Sequence, residues 1–150
     1  MSDRFSFDRD ACLLTVGDRR FPARLLDEER DIALPTGGRH CNRRHRVMME
    51  NGYQLSIVWG SCSYSDNYDY GLRDSAEFVE EPERVEVAVF GPGDGGMLDF
   101  VVRDGDGDGQ YEDSVLARMS PVEVQRLIVA VSALSTSEVP AAIEFVREAG

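Results

Sequence analysis

The stretch "VVRDGDGDGQYED", residues 101–113, sets Asp104, Asp106 and Asp108 at alternate positions with glycines between them. Calcium is held by hard oxygen ligands, and a curled loop supplies them when carboxylates recur at every second residue and glycine permits the turn. Counting Asp104 as the first position, Gln110 is seventh, where a backbone carbonyl would ligate, and Glu112 is ninth. An EF-hand would need a bidentate glutamate at the twelfth position and a helix before the loop. Here that position is Val115 and the preceding residues read as a strand. The expected metal site is therefore a shorter Asp-x-Asp-x-Asp-Gly loop that holds Ca2+ through Asp104, Asp106, Asp108, Gln110 and Glu112. The competing expectation is a Gly-rich hairpin loop kept soluble by its carboxylates.

A second constellation is "GGRHCNRRHR", residues 37–46. Gly37 and Gly38 would free backbone amides, and Arg39, Arg43, Arg44 and Arg46 offer guanidinium groups that grip phosphate in a bidentate way. The expected ligand is a phosphorylated small molecule or nucleotide, against the plainer reading of a solvated loop. His40, Cys41 and His45 are zinc-donor types, but neighbours in a strand point to opposite faces, so His40 and Cys41 could ligate together only from a loop.

The third is "WGSCSYSDNYDYGLR", residues 59–73. Tyrosine gives rigid amphipathic contact area while serine and asparagine adapt their hydrogen bonds, so Trp59, Tyr64, Tyr68 and Tyr70 are the candidate partner-binding residues. No Gly-rich phosphate loop or Gly-x-Ser-x-Gly elbow occurs, and two histidines with no lysine leave few general bases. The expected protein is not an enzyme and needs no catalytic cofactor.

These residues must be carried by short strands followed by helices. "ACLLTVGDRRFPARLL" predicts a hairpin turning at Gly17 and Asp18, with Pro22 confining its second strand to an edge. Residues 27–46 read as a charged connection. "RVMMENGYQLSIVWG" predicts a hairpin closed by a two-residue type I′ turn at Asn51 and Gly52, with Tyr53, Leu55, Ile57 and Trp59 on one face. "RVEVAVF" and "MLDFVV" supply the next antiparallel strands. Ser120, Pro121 and Glu123 form an N-cap, a proline in the first helical turn and a capping-box acid, ahead of a stripe of Val124, Leu127, Ile128, Val131 and Leu134. A second helix is expected from about Ser137 to Gly150. The fold class is thus α+β: an antiparallel meander of three or more strands with one or two C-terminal helices packed on it. The 150 residues, 42% of them apolar, suit a single domain. Its expected parts are an N-terminal extension with a β-hairpin over 1–49, a meander plus helix over 50–135 and a C-terminal helix over 136–150.

The net charge of −12 is concentrated: residues 62–113 hold fifteen acids and three arginines, whereas residues 1–61 hold nine acids and ten arginines. Such a block repels nucleic acid and attracts cations or basic partners. No apolar run approaches the roughly 18 residues of a membrane span. A start of alternating charge and aromatics and an odd count of three cysteines point to a reducing cytoplasm.

The order "NGYQLSIVWGSCSYSDNYDYG", "VEVAVF", "EDSVLARMSPVEVQRLIVAVSAL" resembles a group of small uncharacterised bacteriophage proteins, over about residues 50–135. They share an Asn-Gly-Tyr hairpin, a Tyr- and Gly-bearing loop, a Glu-x-Ala-Val strand and a helix opened by Ser or Thr, Pro and Glu. The resemblance implies a phage accessory protein, expressed in the infected host's cytoplasm, and implies no activity. This chain departs from the pattern in its first fifty or so residues and in the inserted "GDGDGDGQYE". The expected function is non-catalytic binding of a host macromolecule, with sequestration of a phosphorylated ligand as the alternative.

Overall fold

The computed structural model describes residues 5–33, 39–60, 84–93, 95–103 and 110–147. Among them lie ten strands and one α-helix. The strands are β1 (Phe5–Asp8), β2 (Leu13–Val16), β3 (Arg19–Ala33), β4 (Arg39–Met49), β5 (Gln54–Gly60), β6 (Val85–Phe90), β7 (Asp99–Arg103), β8 (Gln110–Asp113), β9 (Leu116–Met119) and β10 (Ala142–Val146); the helix, α1, is Pro121–Ser132. A seven-stranded sheet runs β1-β2-β3-β4-β5-β6-β9 with antiparallel neighbours throughout, and a three-stranded sheet runs β10-β7-β8. The first six strands follow chain order, so the large sheet is a meander up to β6, and residues 5–49 are part of it.

The expected period of two is met in the core strands. Tyr53, Leu55 and Ile57 are buried, as are Val85, Val87 and Val89, while Glu86 is only half-buried. Gly17 turns the β2–β3 hairpin at φ +61°. α1 begins as its sequence predicts: Ser120 Oγ accepts from Glu123 N–H at 3.2 Å, and Glu123 Oε1 accepts from Ser120 N–H at 3.2 Å. Val124, Leu127, Ile128 and Val131 are fully buried, and truncating Leu127 to alanine would cost about 2–5 kcal/mol.

Five expectations are corrected. The Asn51–Gly52 turn is not type I′. Gly52 N–H donates to Met49 O at 2.9 Å and Met49 N–H donates to Tyr53 O at 2.8 Å, which makes residues 50–52 a three-residue loop. Gly52 takes the positive φ, +90°, and Asn51 does not. Such a loop places glycine at the bulge after the turn, leaving the asparagine side chain available for other bonds.

Residues 27–46 are largely strand rather than connection, because β3 and β4 pair from Ala23↔Met49 out to Ala33↔Arg39. β3 is accordingly an inner strand despite Pro22. Ala23 N–H points to β2, donating to Cys12 O at 3.0 Å, so the Pro22 nitrogen faces the other side, beyond the Met49 end of the β4 ladder. No ladder bond is lost there.

"MLDFVV" does not extend the meander. After β6 the chain makes a single bridge, Phe90↔Met97, and then leaves for the small sheet, so the neighbour of β6 is β9. The switch is a glycine turn in which Gly95 approaches Gly91 so closely that an added Cβ would lie 2.7 Å from the Gly91 carbonyl carbon.

Residues 142–146 are a strand, not part of a second helix, and pair parallel with β7 from Ala142↔Asp99 to Val146↔Arg103. Ile143 and Phe145 are buried at 5% exposure while Val146 is 48% exposed. A short apolar run fits either period, and here β7 offers an open edge that a helix could not satisfy. The long connection that parallel pairing requires includes α1.

Candidate functional site

The arginine cluster lies on β4, and its partners are set by the register of β3. Asp27 stands opposite Arg46, Glu28 opposite His45 and Glu29 opposite Arg44, so three of the cluster's basic or titratable residues face an acid across the ladder. Cross-strand pairs of opposite charge support a sheet. Arg46 is further engaged: its Nε donates to Gln54 Oε1 at 2.9 Å and its guanidinium lies 4.0 Å from the Phe90 ring centroid. His45 Nε2 sits 3.7 Å from Glu28 Oε1, whose other oxygen accepts from Arg9 Nη2 at 2.9 Å. Arg44 is engaged as well.

Backbone register places the remaining two arginines. Arg43 pairs with Arg30 on one side and Trp59 on the other, and Arg39 pairs with Ala33. Gly37 and Gly38 lie outside the described residues. His40 and Cys41 also fall in β4, not in the loop that joint zinc ligation needs.

The partner-binding residues meet this cluster through β5. Trp59 stands opposite Arg43 and Val58 opposite Arg44, so one aromatic and one basic candidate, sixteen residues apart in the chain, become neighbours on adjacent strands. Tyr64, Tyr68 and Tyr70 lie outside the described residues. They belong to the segment that leaves β5 at Gly60 and returns to β6 at Val85.

Of the expected calcium ligands, Asp104, Asp106 and Asp108 lie outside the described residues. Gln110 and Glu112 are exposed on β8, opposite Arg103 and Val101. Among the described residues, no group of three His, Cys, Asp or Glu side chains is placed to hold a metal ion.

The ladders and hydrogen bonds fix which ends of the strands lie together. Val85 pairs with Met119, one residue before the Ser120 cap of α1. Arg147 N–H donates to Arg103 O at 2.7 Å at the far end of β7, and its guanidinium grips Glu123 in the first turn of α1, Nε to Oε2 at 2.6 Å and Nη2 to Oε1 at 3.2 Å. The ends of β5 and β7 from which 61–83 and 104–109 depart are therefore at the N-terminal end of α1. At the opposite end the β4–β5 hairpin is bonded to the end of α1: Asn51 Nδ2 donates to Val131 O at 2.8 Å and Leu134 O at 3.4 Å, and Tyr53 Oη donates to Ser135 O at 2.6 Å.

The Arg147–Glu123 pair was missed from sequence. Glu123 is legible as a capping-box residue, but Arg147 falls in the segment read as a second helix, so nothing brought the two together. With side chains 7% and 17% exposed, and Arg147 Nη2 also donating to Arg118 O at 3.1 Å, the pair clamps β10 and β9 to the start of the helix. Gln125 lies outside the apolar stripe and carries no sequence signal of its own. It is buried, and its Nε2 donates to Val16 O at 2.7 Å and to Asp18 Oδ1 at 3.0 Å.

No helix among the described residues is long and apolar enough to cross a membrane. No family model matches the chain, and no curated protein or solved structure matches it.

Proposed function

We propose that this is a small phage-encoded accessory protein that binds a host macromolecule without catalysing a reaction on it. The observation that supports the reading most is that the strand ends flanking two of the sequence's candidate segments lie at one end of the fold. The Trp59–Arg43 neighbours and the departures of 61–83 and 104–109 share the end of the domain at which α1 begins. Recognition residues are commonly carried by connections that a rigid scaffold holds together. These two connections contain ten acids and one arginine, and the first also contains Tyr64, Tyr68 and Tyr70. Connections of that anionic, tyrosine-bearing composition suit a basic protein partner and disfavour nucleic acid.

The test is capture from host lysate on the immobilised protein, with Trp59, Tyr64, Tyr68 and Tyr70 all replaced by alanine as the control. A stoichiometric protein held by the parent and lost from the variant is the expected result. Release of a nucleotide or sugar phosphate on denaturing the purified protein, diminished in Arg43→Ala/Arg44→Ala, would replace this reading with sequestration of a phosphorylated ligand.

A further inference from the structure

Beside the hairpin tip, at the end of the domain away from the surface discussed above, Phe21, Pro22, Met49, Glu50, Asn51 and Ser132 line a groove of about 400 Å3. Its floor is apolar, with Phe21 7% and Met49 4% exposed. Its rim carries a carboxylate and the C-terminal end of a helix. Glu50 is exposed and has no hydrogen-bond or ion-pair partner among the described residues. α1 also ends here, at Ser132, and its last turn carries no basic residue, so the partial negative charge of the helix C-terminus is not offset by a side-chain cation on that turn.

We propose that this groove is a docking site for an arginine side chain of a partner protein. An arginine has the two parts the groove calls for: an aliphatic stem that covers apolar surface and a cationic head that remains at its edge. The stem would lie along Pro22 and Met49, and the guanidinium would meet the Glu50 carboxylate and the C-terminal end of α1. The Phe21 ring already carries one guanidinium, that of Arg19, 5.0 Å from its centroid, and Arg19 does not line the groove. Glu50 is a recognition residue in this proposal, and among the described residues its exposed carboxylate holds no hydrogen bond or ion pair, so replacing it tests the site with little effect on the structure.

The experiment is a titration of the full chain, followed by its backbone amide resonances at low ionic strength, with the peptide acetyl-Gly-Arg-Gly-amide. Its counterpart with citrulline in place of arginine keeps the shape and removes the charge. Saturable shifts at Phe21, Met49, Asn51 and Ser132 with the arginine peptide are expected, with weaker binding of the citrulline peptide. Glu50→Gln should weaken the arginine peptide by about two- to five-fold, the range of an exposed ion pair, and Glu144→Gln, at an exposed position of β10, should leave it unchanged. Equal response to citrulline, indifference to Glu50→Gln, shifts confined to other acidic residues, or no shifts at all would each overturn the site.

Discussion

Asn51 Nδ2 donates to the carbonyl of Val131 at 2.8 Å, across eighty residues of sequence, and so joins the tip of the β4–β5 hairpin to the last turn of α1. The same amide group reaches Leu134 O, and Asn51 Oδ1 accepts from Tyr53 N–H at 3.3 Å. The last carbonyls of a helix lack partners within it, and here a hairpin side chain supplies one. The asparagine of this Asn-Gly-Tyr sequence is thus a helix cap in space, which is why its conformation is ordinary and the glycine alone takes the positive φ.

Asn51→Ala should destabilise the protein by about 0.5–1.5 kcal/mol, because Val131 O loses its side-chain donor and keeps the Leu134 N–H. Asn51→Asp should cost at least as much, since it aims a negative charge at the negative end of α1. Urea denaturation of the two variants checks the order. A milder effect of the aspartate would contradict the capping role.

Breaking the Arg147–Glu123 clamp by Glu123→Ala should cost about 3–5 kcal/mol, because it leaves the Arg147 charge largely buried and unpaired. Arg147→Ala alone should cost a comparable amount. The double variant should fall well short of the sum, and a thermodynamic cycle measures the difference as a coupling energy. Strict additivity would mean that each residue acts through separate contacts.

Gly17→Ala should lose about 1–2 kcal/mol, the cost of holding an L-residue in the left-handed region. A Cβ there would also stand 3.0 Å from Gln125 Nε2, the amide that bonds Val16 O, so the loss should appear in the amide exchange of α1 as well as in the hairpin. Exchange protection lost only at residues 16–19 would separate the strain from the contact.

Calcium coordination by Asp104, Asp106, Asp108 and Glu112, an expectation from the sequence alone, would have a thermodynamic signature. An ion that binds only the folded chain raises its stability by about 2.7 kcal/mol at a hundred times the dissociation constant. Magnesium should do less, since it requires a smaller octahedral shell and dehydrates reluctantly. Asp106→Asn/Asp108→Asn should abolish the calcium response. A melting temperature indifferent to calcium in the parent leaves the segment as an acidic connection between β7 and β8.

What the sequence by itself determined is the local part of the structure. The start of α1 was legible because Ser120, Pro121 and Glu123 satisfy one another's backbone groups within a single turn, and the faces of β5 and β6 because alternation needs no knowledge of the neighbour strand. Three decisions belonged to the tertiary structure. Residues 142–146 carry apolar side chains compatible with either period, and only the open edge of β7 made them a strand. Residues 27–46 look like a solvated connection until register sets Asp27, Glu28 and Glu29 opposite Arg46, His45 and Arg44, where opposite charges let two polar strands pair. The roles of Asn51, Gln125 and Arg147 depend on carbonyls and carboxylates 24 to 109 residues away, and such partners leave no spacing in the sequence to be read. The candidate site divides the same way: residue types nominated Trp59 and the arginines separately, and the β4–β5 ladder made them neighbours, because pairing joins residues by their place in a sheet rather than by their distance along the chain.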